Sequence, residues 1–195
     1  MDCRLGSLCR QMNGRLESQC KDTKNKSMAE KKNAISYESI MKDLKARKFA
    51  PVYVLMGDEP FYIDKICDYI AENVLQPEER DFNQTVLFGA DTTAVQVVDQ
   101  CKGYPMMAEF RVVIVKEAQN LKSLDALEKY LEKPVKSTIL VICNKNGSID
   151  RRKKFIPRAE QVGVVFESKK LYDRQLPGFI ETYLKARKAT IEPKA

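Results

Sequence analysis

The 195-residue chain contains no histidine, and its six cysteines (Cys3, Cys9, Cys20, Cys67, Cys101, Cys143) are scattered with no CxxC pair among them. Together these absences exclude the usual zinc constellations, so no metal and no cofactor are expected. Long apolar runs are missing too. The longest, such as VVIV at Val112–Val115, are far too short to cross a bilayer, and the first residues hold no uninterrupted apolar core of the signal-peptide kind. Scattered single cysteines without an export signal imply reduced thiols and a cytoplasmic setting away from membranes. Three of the six lie within apolar elements and are expected to pack in the core.

What is present is ordinary globular composition, 44% hydrophobic and 31% charged, in a length that suits one domain or one domain plus a fragment of another. The net charge of +7 is uneven. Residues 1–33 hold eight Lys/Arg against four acids, a net +4, which leaves +3 for the rest. A mildly basic body permits contact with nucleic acid without requiring it. Residues 1–33 lack sustained periodicity and are rich in Lys, Asn, Gln, Ser and Asp, so they are expected to be a mostly disordered leader. Three acids in the first 22 residues argue against a transit peptide, and Met28 would make a natural chain start.

From Ser36 the pattern becomes regular. Tyr37, Ile40, Met41 and Leu44 share one helical face behind a Ser36 cap, and Val52–Met56 is a buried strand. Ile63, Ile66, Cys67, Ile70 and Val74 form a second stripe, and Thr85–Phe88 a strand. Asp91 is expected to cap a helix carrying Ala94, Val95, Val98 and Cys101. The strand Arg111–Val115 precedes a helix with Leu124, Leu127 and Leu131. Thr138–Cys143 is the fourth strand, Asp150 is expected to cap the charged helix RRKKFIPRA, and Val164–Phe166 is the fifth strand. A last helix is expected from Asp173 to about Lys188. Apolar strands alternating with helices predict an α/β three-layer module with a mostly parallel five-stranded sheet of the P-loop/AAA+-like kind. The predicted domains are a leader at 1–33, the α/β domain at 34–168, and the start of a helical lid at 169–195.

The stretch YVLMGDEPFYIDK (Tyr53–Lys65) places a glycine and a polar loop between a strand and a helix, where a phosphate-binding loop belongs. That loop needs a second glycine to wrap the phosphates, a lysine to reach them and a hydroxyl for Mg²⁺. Counting from Gly57, those places hold Tyr62, Ile63 and Asp64. The strand that should end in a magnesium-binding aspartate is followed by Lys116, with Glu117 next. Four substitutions at two loci leave the scaffold without its ATPase chemistry. Glu117 is read as a helix-start charge and Asn144, at the sensor position, as a turn residue.

The blocks PVYVLMGDEPFYIDK, GYPMMAEFRVVIVKEA, LEKYLEKPVKSTILVIC, DRRKKF and LPGFIETYL, in this order and spacing, resemble the delta subunit of the bacterial DNA polymerase III clamp loader from about Ser36 onward. That resemblance implies an AAA+ module without a working nucleotide site, a non-catalytic subunit that binds the ring-shaped sliding clamp and springs one of its interfaces open. Its implied partners are the clamp, the ATPase and delta prime subunits, and primed DNA, indirectly or weakly. The ATP-hydrolysing sisters carry an intact Walker A loop, and this chain does not. Only the start of a lid is present, so the chain resembles an amino-terminal fragment.

In that family a short loop-helix before the third strand carries two adjacent large apolar residues that enter a pocket on the clamp. The matching positions here are Met106 and Met107, flanked by Pro105 and Ala108. Methionine in place of the usual leucine or phenylalanine suits an adaptable surface. From the residues alone, filling the domain's own core stays open for either methionine. The basic run Arg151, Arg152, Lys153 and Lys154 could meet DNA or a partner subunit, or be a solvated helix face. Two other classes remain open: a divergent P-loop nucleotide-binding enzyme, and a basic DNA-binding domain.

Overall fold

The computed structural model describes residues 35–149 and 154–170, together with single helical positions at 177, 178, 180, 183 and 184. Five strands, β1 (Val52–Gly57), β2 (Gln84–Phe88), β3 (Arg111–Lys116), β4 (Thr138–Lys145) and β5 (Val164–Ser168), form one sheet in the order β2-β3-β4-β1-β5. Every pairing is parallel, with Leu55 opposite Cys143, Val113 opposite Leu140 and Leu55 opposite Phe166. The three central strands are buried through nearly their whole length, as both faces are covered.

Alternation along the strands divides the core into two layers. Val52, Val54, Met56, Val113, Val115, Leu140 and Ile142 face α4 (Ala94–Lys102), α5 (Asp125–Glu132) and α6 (Phe155–Val162). Tyr53, Leu55, Val112, Ile114, Ile139, Val141 and Cys143 face α1 (Tyr37–Lys45) and α2 (Pro60–Asn73). The α/β three-layer expectation holds. Cys67, Cys101 and Cys143 are buried, each in one of these layers. No helix among the described residues is long and apolar enough to cross a membrane.

Several local expectations differ. Thr93, not Asp91, caps α4: its hydroxyl accepts from the Gln96 N–H at 3.4 Å while Gln96 Oε1 accepts from the Thr93 N–H at 2.9 Å. That start puts Ala94, Val97, Val98 and Cys101 on the buried face and turns Val95 outward. The short helix α3 (Pro77–Asn83) and a 3₁₀ turn (Ala118–Asn120) have no apolar stripe to announce them. Helix α6 starts at Phe155 with exposed Lys154 as its N-cap, so Lys154 stands at the end of the helix and not within it. Asp150, Arg151, Arg152 and Lys153, the leader and most of the last predicted helix lie outside the described residues.

Candidate functional site

Two opposite edges of the sheet hold the candidate residues. Residues 103–110 join the end of α4 to the start of β3, at the edge where strands begin. Both ends of this loop are anchored. A Cβ on Gly103 would stand 2.9 Å from Arg111 Nη1, so glycine there admits the guanidinium, and Arg111 Nη2 donates to Gln100 Oε1 at 2.6 Å. At the other end Phe110 meets Phe49 edge-on at 5.6 Å, and partly buried Ala108 packs on the α1/α2 layer.

Between the anchors the chain turns outward. Met106 is 60% exposed and Met107 fully exposed at 102%, so neither fills the core; Tyr104 is 83% exposed. The segment is a series of bends with no helical turn, unlike the loop-helix that the resemblance implies. Pro105 has no N–H to donate, and Met107 sits at φ 54°, in the left-handed region, where an α-helix cannot continue. Its middle is held from α3. The fully buried Asn83 side chain accepts from the Met106 N–H at 2.6 Å and donates to the Met106 carbonyl at 2.8 Å. Its neighbour Phe82 is 65% exposed, so the hydrogen bonds tie a second exposed ring to the same edge. Sequence reasoning missed both residues, because α3 lacks apolar periodicity and an isolated Asn carries no pattern.

The opposite edge, where β1 ends, is closed on itself. Gly57 has φ 135°, and a Cβ there would stand 2.0 Å from the Ser168 carbonyl oxygen. Two N–H groups at the start of this loop are engaged: Gly57 donates to the Gly147 carbonyl at 3.0 Å and Asp58 to the Ser168 carbonyl at 3.1 Å. Of the three residues in the Walker positions, Ile63 is fully buried in the α1/α2 layer, and Tyr62 packs against Tyr37 with ring centroids 4.9 Å apart. Asp64 pairs with Lys145 at 2.7 Å, and the hydrogen bond that the Lys145 ammonium donates to that carboxylate raises the Lys145 pKa above its ordinary value. Asn144 Nδ2 donates to the Gly147 carbonyl at 2.9 Å, supporting the turn after β4. Lys116 ends β3, and its carbonyl accepts from the Gly89 N–H at 2.8 Å. Glu117 follows at φ 55°, capping the 3₁₀ turn and accepting from Asn120 Nδ2 at 3.3 Å. Among the described residues no three His, Cys, Asp or Glu side chains converge to hold a metal.

Residues 53–169 match the family described as DNA polymerase III, delta subunit. The DNA polymerase III subunit delta of Bacillus subtilis (strain 168) is 27% identical over 166 residues, covering 80% of this chain and 48% of that protein. A solved structure, the Bacillus subtilis DNA clamp loader delta protein, superposes with a TM-score of 0.69 at 26% identity, covering 80% of this chain and 49% of the other. The chain thus spans about half the length of the curated relative it matches.

Proposed function

The chain belongs to the DNA polymerase III delta subunit family, and from that premise we propose that it binds a sliding clamp and helps open the ring for loading onto primed DNA. Met106 and Met107, with Pro105 and Ala108 beside them, are the clamp-binding residues in this reading. One observation carries it. Two adjacent methionines stand in solvent on a loop anchored at both ends and gripped in the middle. Exposed apolar side chains held in a fixed conformation mark an interaction site better than exposure alone. Phe82 and Tyr104 would widen the contact.

The role is non-catalytic. Gly57, Tyr62, Ile63, Asp64, Lys116 and Glu117 mark a nucleotide site without function, because the Gly57 and Asp58 N–H groups and the Asp64 carboxylate already have partners within the chain. The sister ATPase subunits and delta prime are the further partners. Residues 34–168 would be the AAA+-like module, 169–195 the start of the lid, and 1–33 a leader outside the working domain. The setting is cytoplasmic. Arg151, Arg152, Lys153 and Lys154 are candidates for weak DNA or subunit contact.

The experiment is a titration of the chain with a purified bacterial sliding clamp. Saturable binding that is lost on substituting both methionines supports the reading, and absence of binding at micromolar clamp removes it.

A further inference from the structure

Asn83 belongs to no strand and faces no solvent, yet every polar group of its amide except one lone pair is used. Oδ1 accepts from the Met106 N–H at 2.6 Å, and Nδ2 donates to the carbonyls of Met106 at 2.8 Å and Glu79 at 3.0 Å. Accepting from the N–H and donating to the C=O of the same residue copies the hydrogen-bonded pair of an antiparallel ladder. The third bond fixes the amide to its own helix. Turning the amide over would set Oδ1 against two carbonyls and Nδ2 against an N–H, so one orientation alone is satisfied.

The loop needs such a fastening. It has no helical turn of its own, Pro105 contributes no donor, and Met107 occupies a left-handed conformation that is unfavourable for a non-glycine residue. Free of restraint, the segment would spread over other conformations. Resting on the reading of this loop as the clamp-binding element, we infer that Asn83 is its positioning residue. It touches no clamp; it holds the Met106 backbone so that the Met106 and Met107 side chains stay outward before the partner arrives. Binding then orders little, and apparent affinity is not reduced by the fraction of chains in which the loop is misplaced.

The test is a double-mutant cycle in the full chain, read by clamp titration, joined to hydrogen exchange at single amides. Asn83→Ala is expected to weaken clamp binding about tenfold, and to change it by less than about twofold in the Met106→Ala/Met107→Ala background, because the asparagine acts only through the loop. Equal losses in both backgrounds would mean a general disturbance of the fold and overturn the inference, as would unchanged affinity in Asn83→Ala. Exchange needs neither a clamp nor a variant that folds. In the unaltered chain the Met106 amide should exchange far more slowly than an unstructured peptide amide, although its side chain is exposed. Exchange at the unstructured rate overturns the inference. A chain that binds no clamp but protects Met106 would defeat the clamp reading and leave Asn83 as the holder of the loop.

Discussion

Replacing both Met106 and Met107 by alanine removes two adjacent exposed apolar side chains, and its two consequences can be worked separately. Met107 has its whole surface available for burial and Met106 somewhat more than half. At about 1.5–3 kcal/mol for a fully buried side chain, the pair offers roughly 3–4 kcal/mol on entering an apolar pocket. Immobilising each long side chain takes back about 0.5–1.5 kcal/mol. Taking the middle of each range, the net is about 1.5 kcal/mol, or a loss of roughly tenfold in clamp affinity for the double variant. Fold stability should hardly move, since substitutions at exposed positions stay within about 0.5 kcal/mol. Met107→Gly sharpens the test. Glycine adopts φ 54° without strain, so thermal stability should be unchanged or raised by up to about 1 kcal/mol while clamp binding falls. Isothermal titration against the clamp and thermal unfolding by circular dichroism give the two readouts. Unchanged affinity in the double variant, or a melting temperature that falls with affinity, would refute the reasoning.

Mg-ATP at millimolar concentration should give no binding heat with the chain, because Gly57 and Asp58 donate elsewhere and Asp64 holds Lys145; a micromolar Kd would show that this edge can open. Gly57→Ala should cost at least about 2–3 kcal/mol in urea unfolding, since φ 135° is closed to alanine and the Cβ would run into the Ser168 carbonyl. A near-neutral effect there would mean that β5 does not pack on β1 as described. Alkaline titration should find full stability below about pH 9 and a progressive loss toward pH 12. Burial raises the Cys101 thiol from 9.0 to about 12 and the Tyr130 phenol from 10.0 to about 12, so the unfolded chain ionises first. At pH 10 the thiol's share is about 1.4 kcal/mol, and because the two groups hydrogen-bond each other their shares do not simply add. Cys101→Ser should flatten the curve between pH 9 and 10, where Tyr130 has barely begun to matter; an unaltered curve would place the thiol in water.

The sheet was legible because its three central strands are buried on both faces and therefore almost continuously apolar, a signal that survives without knowing their partners. Helices with a full stripe were legible for the same reason. The α4 start was misplaced because three valines stand close together, and only Val97 and Val98 keep phase with Ala94 and Cys101. Helix α3 was missed because its sequence, PEERDFN, buries only Asn83. Polar contacts hold it instead, with the Gln76 N–H donating to Glu79 at 3.0 Å and Arg80 to the Glu72 carbonyl at 2.6 Å. The loss of Walker chemistry could be read from single residues, since a lysine or hydroxyl is either present at its place or absent. How the edge is closed could not, because the Ser168 carbonyl reaches Gly57 only through the register of β5 on β1. Apolarity alone could not separate a core methionine from a presented one. That distinction depends on a left-handed Met107 and on a side chain 23 residues upstream of Met106.

The placement of the two edges bears on how such a domain could act. Strands of five to eight residues, rising about 3.3 Å each, put the methionine loop and the closed nucleotide edge roughly 17 Å or more apart, with the packed sheet between them. In a nucleotide-driven protein, ligand binding at the far edge would bias the near one by fitting two states differently. Here Gly57, Asp58 and Asp64 at that edge are bonded within the chain. The near edge is fastened by contacts within the chain, from Asn83 and at Gly103–Arg111. If the loop is the clamp-binding element, its presentation is therefore constitutive, and control must come from what covers or uncovers it. Opening a ring asks for more than tight binding, since equal affinity for closed and open clamp shifts nothing. A rigid loop on a rigid sheet meets that demand better than an adaptable one, because it cannot relax to fit the closed ring.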